Sequence, residues 1–355
     1  MRILVLNPGS TSTKLALFNG EQLQYADNLS HLPAELEACG SIIEQYDLRK
    51  QAVLDFLKQK NTPLSALSAV VGRGGLTKPL SGGTYRINEA MLQDLKSAAW
   101  GEHASNLGPI LAYELAQEAG GIPAFTVDPV VVDELDDVAR ISGLPELPRR
   151  SKFHALNQKA AAYRTAKALA RSYQEVNLIV AHMGGGISIG AHKMGQVVDV
   201  NNALDGEGPM SPERSGTLPV GDLVKLCFSD HYNQEDILQM VKGRGGLMAH
   251  LGTTDAREVE NRVKAGDKDA KLIFRALAYQ IAKGICALTA VFSGKPDAIV
   301  LTGGMAHSEL LTGWIKERVG FLAPVVVYPG EGEMEALAQG ALRVLSQEEP
   351  AQEYV

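Results

Sequence analysis

The sequence has few cysteines and no long run of basic or apolar residues. Its three cysteines, Cys39, Cys227 and Cys286, are odd in number and widely spaced, so they fit neither a disulfide framework nor a metal motif. The net charge is -7, and no Lys/Arg run is long enough to follow a nucleic-acid backbone. No apolar run reaches membrane-spanning length, and the N-terminal one ends at Asn7, too early for a signal peptide. These absences predict a cytoplasmic protein with reduced thiols and without nucleic-acid or membrane partners.

Two common nucleotide-binding signatures are also missing. No G-x-x-x-x-G-K-[ST] is present, because Gly294-Lys295 is followed by proline. No G-x-G-x-x-G is present either, since Gly184 and Gly186 would need a glycine at position 189, which is isoleucine. A Walker NTPase and a dinucleotide-dependent dehydrogenase both lose support.

Length and composition predict two globular domains. The chain has 355 residues, of which 45% are hydrophobic and 21% charged, enough for two separate cores. Pro145, Pro148 and Arg149-Arg150 mark a predicted boundary or hinge. Strands and helices alternate as in a mixed α/β protein. The predicted helices lie near 40–60, 89–99, 108–119, 156–171, 269–292 and 333–346, the predicted strands at 67–72, 84–87, 124–127 and 298–302, and a long polar segment without regular structure at 201–219.

The most informative segment is ILVLNPGSTSTKLALF, residues 3–18, which we call the first hairpin. Two apolar strands flank a turn that begins at Asn7-Pro8-Gly9. Several groups of this turn can point at one oxyanion: the backbone amides of residues 9–13, the hydroxyls of Ser10 and Ser12, and the ammonium of Lys14. The segment predicts a phosphate site, with Asn7 able to hold a hydrated metal. On its own, such a loop is more often an ordinary polar turn.

A second copy of this pattern favours the phosphate site. LIVAHMGGGISIGAHKMG, residues 178–195 and hereafter the second hairpin, again has an apolar strand, a polar residue, a glycine turn and another apolar strand. Asn7 matches His182, Gly9 matches Gly184, and Gly20 matches Gly195. An internal repeat of this size predicts two similar domains that face each other and hold a polyphosphate between their turns.

The residues resemble the acetate and butyrate kinases of the acetokinase family, which belongs to the superfamily of sugar kinases, Hsp70 and actin. The resemblance spans essentially the whole chain. Its motifs, in order, are N-P-G-S-T-S-T-K at 7–14, V-G-R-G-G at 71–75, D-P at 128–129, F-H at 153–154, H-M-G-G-G at 182–186, E-R-S-G at 213–216, T-D-A-R at 254–257 and T-G-G at 302–304. The chain is shorter than acetate kinases usually are, which tend to begin N-A-G-S-S-S-x-K. Both features are similar to the butyrate and branched-chain fatty acid kinase subgroup.

The resemblance implies a duplicated, ribonuclease-H-like α/β fold with an interdomain cleft. Its domains would be 1–149, completed by helix 336–355, and the nucleotide-binding 150–335. It implies transfer of the γ-phosphoryl group of ATP to a short-chain fatty acid, most specifically butyrate, with branched-chain acids, propionate and acetate as alternatives. The implied ligands are MgATP or MgADP with the acid or its acyl phosphate, and the implied assembly is a homodimer or larger homo-oligomer.

Two other classes remain open at this stage. An ATPase switch similar to Hsp70 or actin shares the repeated hairpin but leaves the arginines and histidines of the motifs unexplained. A sugar kinase needs a base to activate a hydroxyl, and Asp128 is the one tempting candidate. A carboxylate, in contrast, is already an ionised nucleophile, so its kinase needs cations and hydrogen-bond donors rather than a base.

The resemblance assigns catalytic positions to five residues. It places Arg73 and Arg214 on the carboxylate and the transferring phosphoryl group, which suits a planar bidentate donor. It makes His154 and His182 donors to the same group. It places Asp128 beside the site, where orienting an arginine is more plausible than proton abstraction, although an Asp before Pro129 also fits a simple turn or cap.

The resemblance also assigns nucleotide, metal and acyl contacts. The phosphates would meet Gly184, Gly185 and Gly186, with Lys14, Ser10 and Ser12 behind them. The residues around adenosine would be Asp255, Arg257, Gly303 and Gly304, although acetate kinases carry G-I-G-E-N where this chain has G-G-M-A-H at 303–307. Magnesium would lie near Asn7 and Glu333, with Glu331 and Glu335 as competing assignments.

The acyl pocket is predicted from two of these positions. Gly75 stands where acetate kinases typically have a valine that borders the acetate methyl, and Phe153 matches an aromatic wall. Loss of that side chain would lengthen the pocket and favour butyrate. The alternative is that Gly75 is required only for its backbone.

Overall fold

The computed structural model describes all residues, Met1–Val355, and they divide into two compact units. Unit 1 comprises Met1–Val132 and Gly332–Val355, and unit 2 comprises Asp133–Glu331. The first boundary therefore precedes the predicted one at 149/150. The reason is that the intervening segment bonds to unit 2: the Asp136 amide donates to the Val198 carbonyl at 2.9 Å, and Arg149 pairs with Asp199 at 2.9 Å.

The chain forms twelve strands and thirteen α-helices, together with short 3-10 turns. The strands are β1 (Arg2–Pro8), β2 (Ser12–Asn19), β3 (Gln22–Ser30), β4 (Ala69–Gly72), β5 (Thr84–Arg86), β6 (Ala124–Val127), β7 (Asn177–Met183), β8 (Ile187–Lys193), β9 (Gln196–Val200), β10 (Ala298–Gly303), β11 (Val325–Pro329) and β12 (Gln352–Glu353). The helices are α1 (Pro33–Glu37), α2 (Tyr46–Gln59), α3 (Glu89–Ser97), α4 (Leu107–Glu118), α5 (Asp137–Arg140), α6 (Ala155–Ala168), α7 (Val220–Cys227), α8 (Gln234–Val241), α9 (Gly246–Leu251), α10 (Ala256–Lys264), α11 (Lys268–Leu288), α12 (Glu309–Val319) and α13 (Glu333–Leu345).

Unit 1 is built on a seven-stranded sheet in the order β12-β5-β6-β4-β1-β2-β3. β1 is antiparallel to β2 and parallel to β4. Residues 3–6 of β1 are fully buried apolar side chains, as expected for a strand covered on both faces. α13, although it follows unit 2 in the chain, packs against β1, β4 and β6. Gly340 of α13 allows this close packing, because a Cβ there would lie 2.5 Å from a Val127 methyl.

Unit 2 is built on a five-stranded sheet in the order β11-β10-β7-β8-β9. Its strands have the same order and directions as β6-β4-β1-β2-β3 of unit 1: one hairpin with a third antiparallel strand, and two parallel strands on the other side. Asn7 and His182 are each the penultimate residue of the equivalent strands β1 and β7. The predicted duplication is therefore present in the fold.

The long helix α11 forms part of the core of unit 2. By length and composition alone it would also fit a membrane span. One face, however, is buried in the protein, with Phe274, Leu277, Ile281 and Ile285 within the apolar core beside β7, β8 and β10. The charged residues at its other positions, such as Arg275, are typical of an amphipathic helix packed on a sheet.

Candidate active site

The first hairpin forms the phosphate-site turn between β1 and β2. Gly9 donates its backbone N–H to the Ser12 carbonyl at 2.7 Å, and Asn7 lies opposite Lys14 in the register. The backbone amides of Ser10 and Thr11 are directed to no acceptor within the chain. Ser10, Thr11 and Lys14 are exposed. An anion beside this turn would therefore find free N–H groups and a cation.

A buried arginine that sequence reasoning missed holds the inner side of this turn. Arg49 lies on α2 and is 0% exposed. Its guanidinium donates to the Gly9 carbonyl at 2.9 Å, the Ser12 carbonyl at 3.1 Å and the Thr13 hydroxyl at 3.0 Å. Gln45 accepts the remaining hydrogen bonds at 2.8 and 3.1 Å. Burial lowers the pKa of Arg49, but a guanidinium remains charged in proteins.

Three polar residues meet where β1 and β4 end side by side. Asn7 donates from Nδ2 to Glu333 Oε2 at 2.8 Å. Arg73, directly after β4, lies 3.0 Å from Glu333 Oε1 and donates to Asn7 Oδ1 at 3.3 Å. Of the three competing glutamates, Glu333 is thus the one that contacts Asn7. The sheet and the start of α13 together bring Asn7, Arg73 and Glu333 into one cluster.

The donor set of this cluster suits a hard cation. Asn7 and Glu333 offer amide and carboxylate oxygens, which Mg²⁺ accepts as ligands. No group of three or more His, Cys, Asp or Glu side chains forms a metal cage. A metal here would therefore take its other ligands from water and phosphate, as Mg²⁺ usually does in nucleotide sites.

Asp128 has a strained backbone and forms two hydrogen bonds with Gly83. Its φ of +39° lies in the left-handed region, uncommon for a residue other than glycine. Its amide donates to the Gly83 carbonyl at 3.0 Å, and its Oδ1 accepts from the Gly83 amide at 2.7 Å. This reciprocal pair supports the turn interpretation. The role of orienting an arginine stays a prediction.

The pocket interpretation of Gly75 is wrong, because no space is left by its missing side chain. A Cβ at Gly75 would lie 2.5 Å from Asn106 Cα and 2.8 Å from Leu95 Cδ2. Gly74 is similarly constrained, with Pro129 Cβ 2.4 Å from an added Cβ. Both glycines therefore serve the close approach of neighbouring chain segments. Phe153 is buried, and its role as an acyl wall stays a prediction.

We expect Gly75→Val to destabilise the protein without shifting its acid preference toward acetate. Overpacking of this kind costs about 1–3 kcal/mol or more, so the midpoint of thermal unfolding should fall. Gly313→Val is the matched control, because nothing lies within 4 Å of an added Cβ there. A stable Gly75→Val protein with improved relative activity on acetate would restore the pocket interpretation.

Arg214 lies directly on the second hairpin of unit 2. A Cβ at Gly186 would come 1.9 Å from Arg214 NH1, so only glycine allows the guanidinium to lie there. Ser211 donates from its hydroxyl to the Gly185 carbonyl at 2.5 Å. Ser211 and Arg214 belong to the polar segment 201–219, which is irregular as predicted. This segment covers the glycine turn with polar groups.

The Arg214 guanidinium retains an unsatisfied donor. NH1 donates to the Ala203 carbonyl, while the buried Nε has no hydrogen-bond partner. Glu213 lies 3.9 Å away, at the limit of an ion pair. Burial lowers the pKa of Arg214, and the Glu213 carboxylate opposes this effect. A buried donor without a partner is costly, and an anionic ligand would supply one.

His182 is held in one tautomer beside the glycine turn. Its Nδ1 lies 2.6 Å from Asn157 Oδ1. Asn157 donates from Nδ2 to the Glu331 carbonyl, which fixes the direction of the amide. His182 must therefore carry its proton on Nδ1, and Nε2 is an acceptor in the neutral ring. Burial, aided by nearby His154, lowers the pKa of His182 well below its usual value.

His154 is held in the opposite tautomer. The two rings stack with centroids 3.9 Å apart and an interplanar angle of 13°. His154 Nδ1 lies 2.9 Å from the Ser188 hydroxyl, which accepts from Gln158 Nε2 at 2.7 Å. Since Gln158 also donates to the Ser188 carbonyl, its amide direction is fixed. Ser188 Oγ also accepts from the His154 backbone amide at 3.4 Å, so both of its lone pairs are used. The Ser188 proton thus goes to His154 Nδ1, and His154 Nε2 carries a hydrogen.

The resemblance implied that both histidines are donors, but the two neutral rings differ at Nε2. Neutral His154 presents an N–H at Nε2, whereas neutral His182 presents a lone pair there. His182 becomes a donor at that atom only in its protonated form, which burial disfavours. This difference makes His154 the better match to a hydrogen-bond donor.

The predicted adenosine residues fall into two groups. Thr302 is in register with His182, so Gly303 and Gly304 lie beside the second hairpin. Gly303 has φ +90°, and a Cβ there would lie 2.5 Å from the Met183 carbonyl, whereas nothing lies within 4 Å of one at Gly304.

The other two form a local pair at the start of α10. Asp255 caps the helix by accepting from the Arg257 amide at 2.9 Å. The Arg257 guanidinium lies 3.0 Å from Asp255 Oδ2, and its hydrogen bonds to Asp255 lower the pKa of the carboxyl. Both side chains are exposed. Their place beside adenosine stays a prediction.

Four residues that hold predicted site residues within their own unit were missed from sequence: Arg49 in unit 1, and Asn157, Gln158 and Ser188 in unit 2. A signal existed for two of them, because His154, Asn157 and Gln158 have the i, i+3, i+4 spacing that places side chains on one helix face. Arg49 gave no signal, since a charged residue within an amphipathic helix is usually solvated.

Known proteins resemble the chain in both sequence and structure. The acetokinase family model matches residues 146–313. The chain is 56% identical over 353 residues to Butyrate kinase 2 of Clostridium acetobutylicum and 53% identical over 353 residues to a probable butyrate kinase of Clostridium botulinum, with 99% of each chain covered in both cases. An acetate kinase structure from Porphyromonas gingivalis has a TM-score of 0.78 at 20% identity, covering 97% of this chain and 99% of that one.

The structural likeness concerns the fold, which is that of the actin, Hsp70 and sugar kinase ATPases. The sequence identity of 53–56% over nearly the full length establishes the family. The chain belongs to the acetokinase family, whose members are phosphotransferases that act on carboxylates.

Proposed function

We propose that the protein transfers the γ-phosphoryl group of ATP to butyrate, giving butanoyl phosphate and ADP, and that it catalyses the reverse reaction. The observation that carries this proposal is the 56% identity to Butyrate kinase 2 over 99% of both chains. ATP as the phosphoryl donor follows from membership of the kinase family.

The residues of each unit suit the chemistry of a carboxylate acceptor. The attacking carboxylate is already ionised at neutral pH, so the protein must offset negative charge and align the reacting atoms rather than remove a proton. Arg73 in unit 1 and Arg214 in unit 2 are the cations available for this task. Arg214 has an unpaired Nε, and His154 has an N–H at Nε2. Hydrogen-bond donors aimed at developing charge are the usual source of such catalysis.

Magnesium is proposed to lie at Asn7 and Glu333 as a hydrated ion. Both oxygens of Glu333 already have partners, Asn7 Nδ2 and Arg73 NH1. A metal with its water shell can bind there without replacing these contacts, and Mg²⁺ gives up its waters reluctantly. When bound, the ion would neutralise phosphate charge.

A panel of acids tests the proposal. We expect hydroxamate trapping of the acyl phosphate, with acids from formate to hexanoate, to give highest kcat/KM for butyrate or isobutyrate. The advantage over acetate should be at least about tenfold, because each methylene in a fitted pocket is worth about 1–3 kcal/mol. Reactions without acid and without ATP serve as controls.

Other outcomes would contradict butyrate specificity in different ways. Highest activity on acetate or propionate would mean another acid kinase of the same family. ATP hydrolysis that no acid changes would indicate an ATPase switch and would overturn the kinase assignment itself.

A further inference from the structure

We propose that Arg49 is a positioning residue for the nucleotide polyphosphate, acting through the first hairpin and through its own unpaired positive charge. Arg49 lies behind the turn and does not belong to any motif that carries the family resemblance. The inference deepens the proposed function, and rests on it, because the ligand it assigns to this turn is the phosphate chain of ATP.

The hydrogen bonds of Arg49 determine which way the turn faces. All five N–H groups of the guanidinium are used: the Gly9 and Ser12 carbonyls and the Thr13 hydroxyl accept one each, and Gln45 Oε1 accepts two. The Ser10 carbonyl is a more distant acceptor, 3.5 Å from Arg49 NH2. The turn therefore directs its carbonyls inward. The amides of Ser10 and Thr11, which have no acceptor in the chain, are left for a ligand.

The charge of Arg49 has no counter-ion in unit 1. No carboxylate pairs with it, and all of its hydrogen bonds go to neutral acceptors. The neighbouring His31 supplies no negative charge in either of its protonation states. Thr13 Oγ1 accepts from Arg49 and lies 2.8 Å from His31 Nε2, so both side chains share this hydroxyl. Burial and the nearby guanidinium both lower the pKa of His31.

A buried charge without a partner is unusual in proteins, because desolvation is costly unless an opposite charge or several hydrogen bonds compensate. Here hydrogen bonds satisfy the N–H groups of Arg49, but its positive charge remains uncompensated behind a turn that also carries the positive charge of Lys14. A polyphosphate on the outer side of the turn would supply the missing negative charge. Arginine suits this position because its rigid fork donates five hydrogen bonds at once, whereas lysine has three donors and no fixed plane.

The test compares phosphate-containing and phosphate-free ligands. Binding of MgATP, inorganic tripolyphosphate and adenosine is measured by calorimetry for the wild type, Arg49→Lys and Val53→Ala. Val53 lies one turn further along α2, is fully buried in the apolar core of unit 1, and has no side-chain polar atom that could bond to the first hairpin's turn. Its truncation therefore reports general destabilisation of the helix. The KM values for MgATP and butyrate are measured for the same proteins.

We expect Arg49→Lys to weaken MgATP and tripolyphosphate binding by about tenfold or more, as for the loss of hydrogen bonds to a charged group. Affinity for adenosine and the KM for butyrate should stay unchanged. Val53→Ala should lower the unfolding temperature and leave all three affinities near those of the wild type. If Arg49→Lys does not fold, Gln45→Met decides, because it removes two hydrogen bonds from the same guanidinium and should weaken polyphosphate binding in the same direction.

Three results would overturn the inference. The first is a folded Arg49→Lys or Gln45→Met protein that binds tripolyphosphate as tightly as the wild type. The second is a loss of tripolyphosphate affinity in Val53→Ala equal to that in Arg49→Lys. The third is a loss of adenosine affinity in Arg49→Lys equal to its loss of tripolyphosphate affinity. Failure of the proposed function is separate. It would appear as a wild type that makes no acyl phosphate from any acid, while tripolyphosphate binding still reports on the turn.

Discussion

Arg214→Ala should lower turnover by about a thousandfold or more while the protein stays folded, by analogy with arginines that stabilise phosphoryl-transfer transition states. Arg214 lies against Gly186 and carries a buried Nε without a partner. The measurement is kcat with saturating MgATP and butyrate, together with thermal unfolding. Arg214→Lys should recover little activity, because bidentate geometry is lost.

A second variant tests whether the position of the Arg214 guanidinium matters for turnover, in addition to its presence. Gly186→Ala keeps Arg214 but places a methyl where NH1 now lies. We expect a loss of about a hundredfold, the size reported for small misplacements of catalytic groups. Near-normal turnover in Arg214→Ala would remove Arg214 from the mechanism, whatever Gly186→Ala does.

Arg73→Ala should also lower turnover by about a thousandfold, and raising the Mg²⁺ concentration should not restore it. The matched control is Arg171→Ala. Arg171 is 41% exposed and pairs with Asp297 at 2.8 Å, much as Arg73 is 40% exposed and pairs with Glu333 at 3.0 Å. Since exposed ion pairs contribute about 0–1 kcal/mol to stability, both variants should fold, and only Arg73→Ala should lose activity.

Glu333→Gln distinguishes the metal role from the arginine role in the same cluster. It keeps a side chain beside Asn7 but removes the negative charge, so the Mg²⁺ concentration for half-maximal activity should rise. An unchanged Mg²⁺ dependence would place the metal elsewhere.

Near-normal activity in Arg73→Ala would leave Arg73 as a partner of Glu333 only.

Regular strands were predictable because apolar runs bounded by turn residues specify them locally. The strand at 124–127 has the predicted bounds, and the repeat of the two hairpins correctly indicated a duplicated sheet. Helix α2 begins at Tyr46 rather than near 40, because a 3-10 turn at Ile43–Gln45 precedes it. Helices α7 to α10 were missed because they are short and mostly polar or exposed, although Asn233 and Asp255 cap two of them.

Site residues could be predicted where the groups that act together lie close together in the sequence. The hairpins bring together Asn7 with Lys14 and His182 with the glycine turn. Their partners come from distant positions: Ser188 lies 34 residues from His154, and no local pattern links the two. Gly75 was misinterpreted for the same reason, since the Asn106 backbone that fills its space lies in another segment.

The discontinuity of unit 1 has a consequence for the order of biosynthesis. Domains generally fold from the N-terminus as the ribosome releases them. Here the sheet of unit 1 lacks α13, which covers β1, β4 and β6, until residues 332–355 have been made. Unit 2 is contiguous and can fold first. During translation the nascent chain therefore carries this sheet without the packing of α13, with α4 already able to pack on it, and the Asn7–Arg73 cluster receives Glu333 only after the other unit is complete.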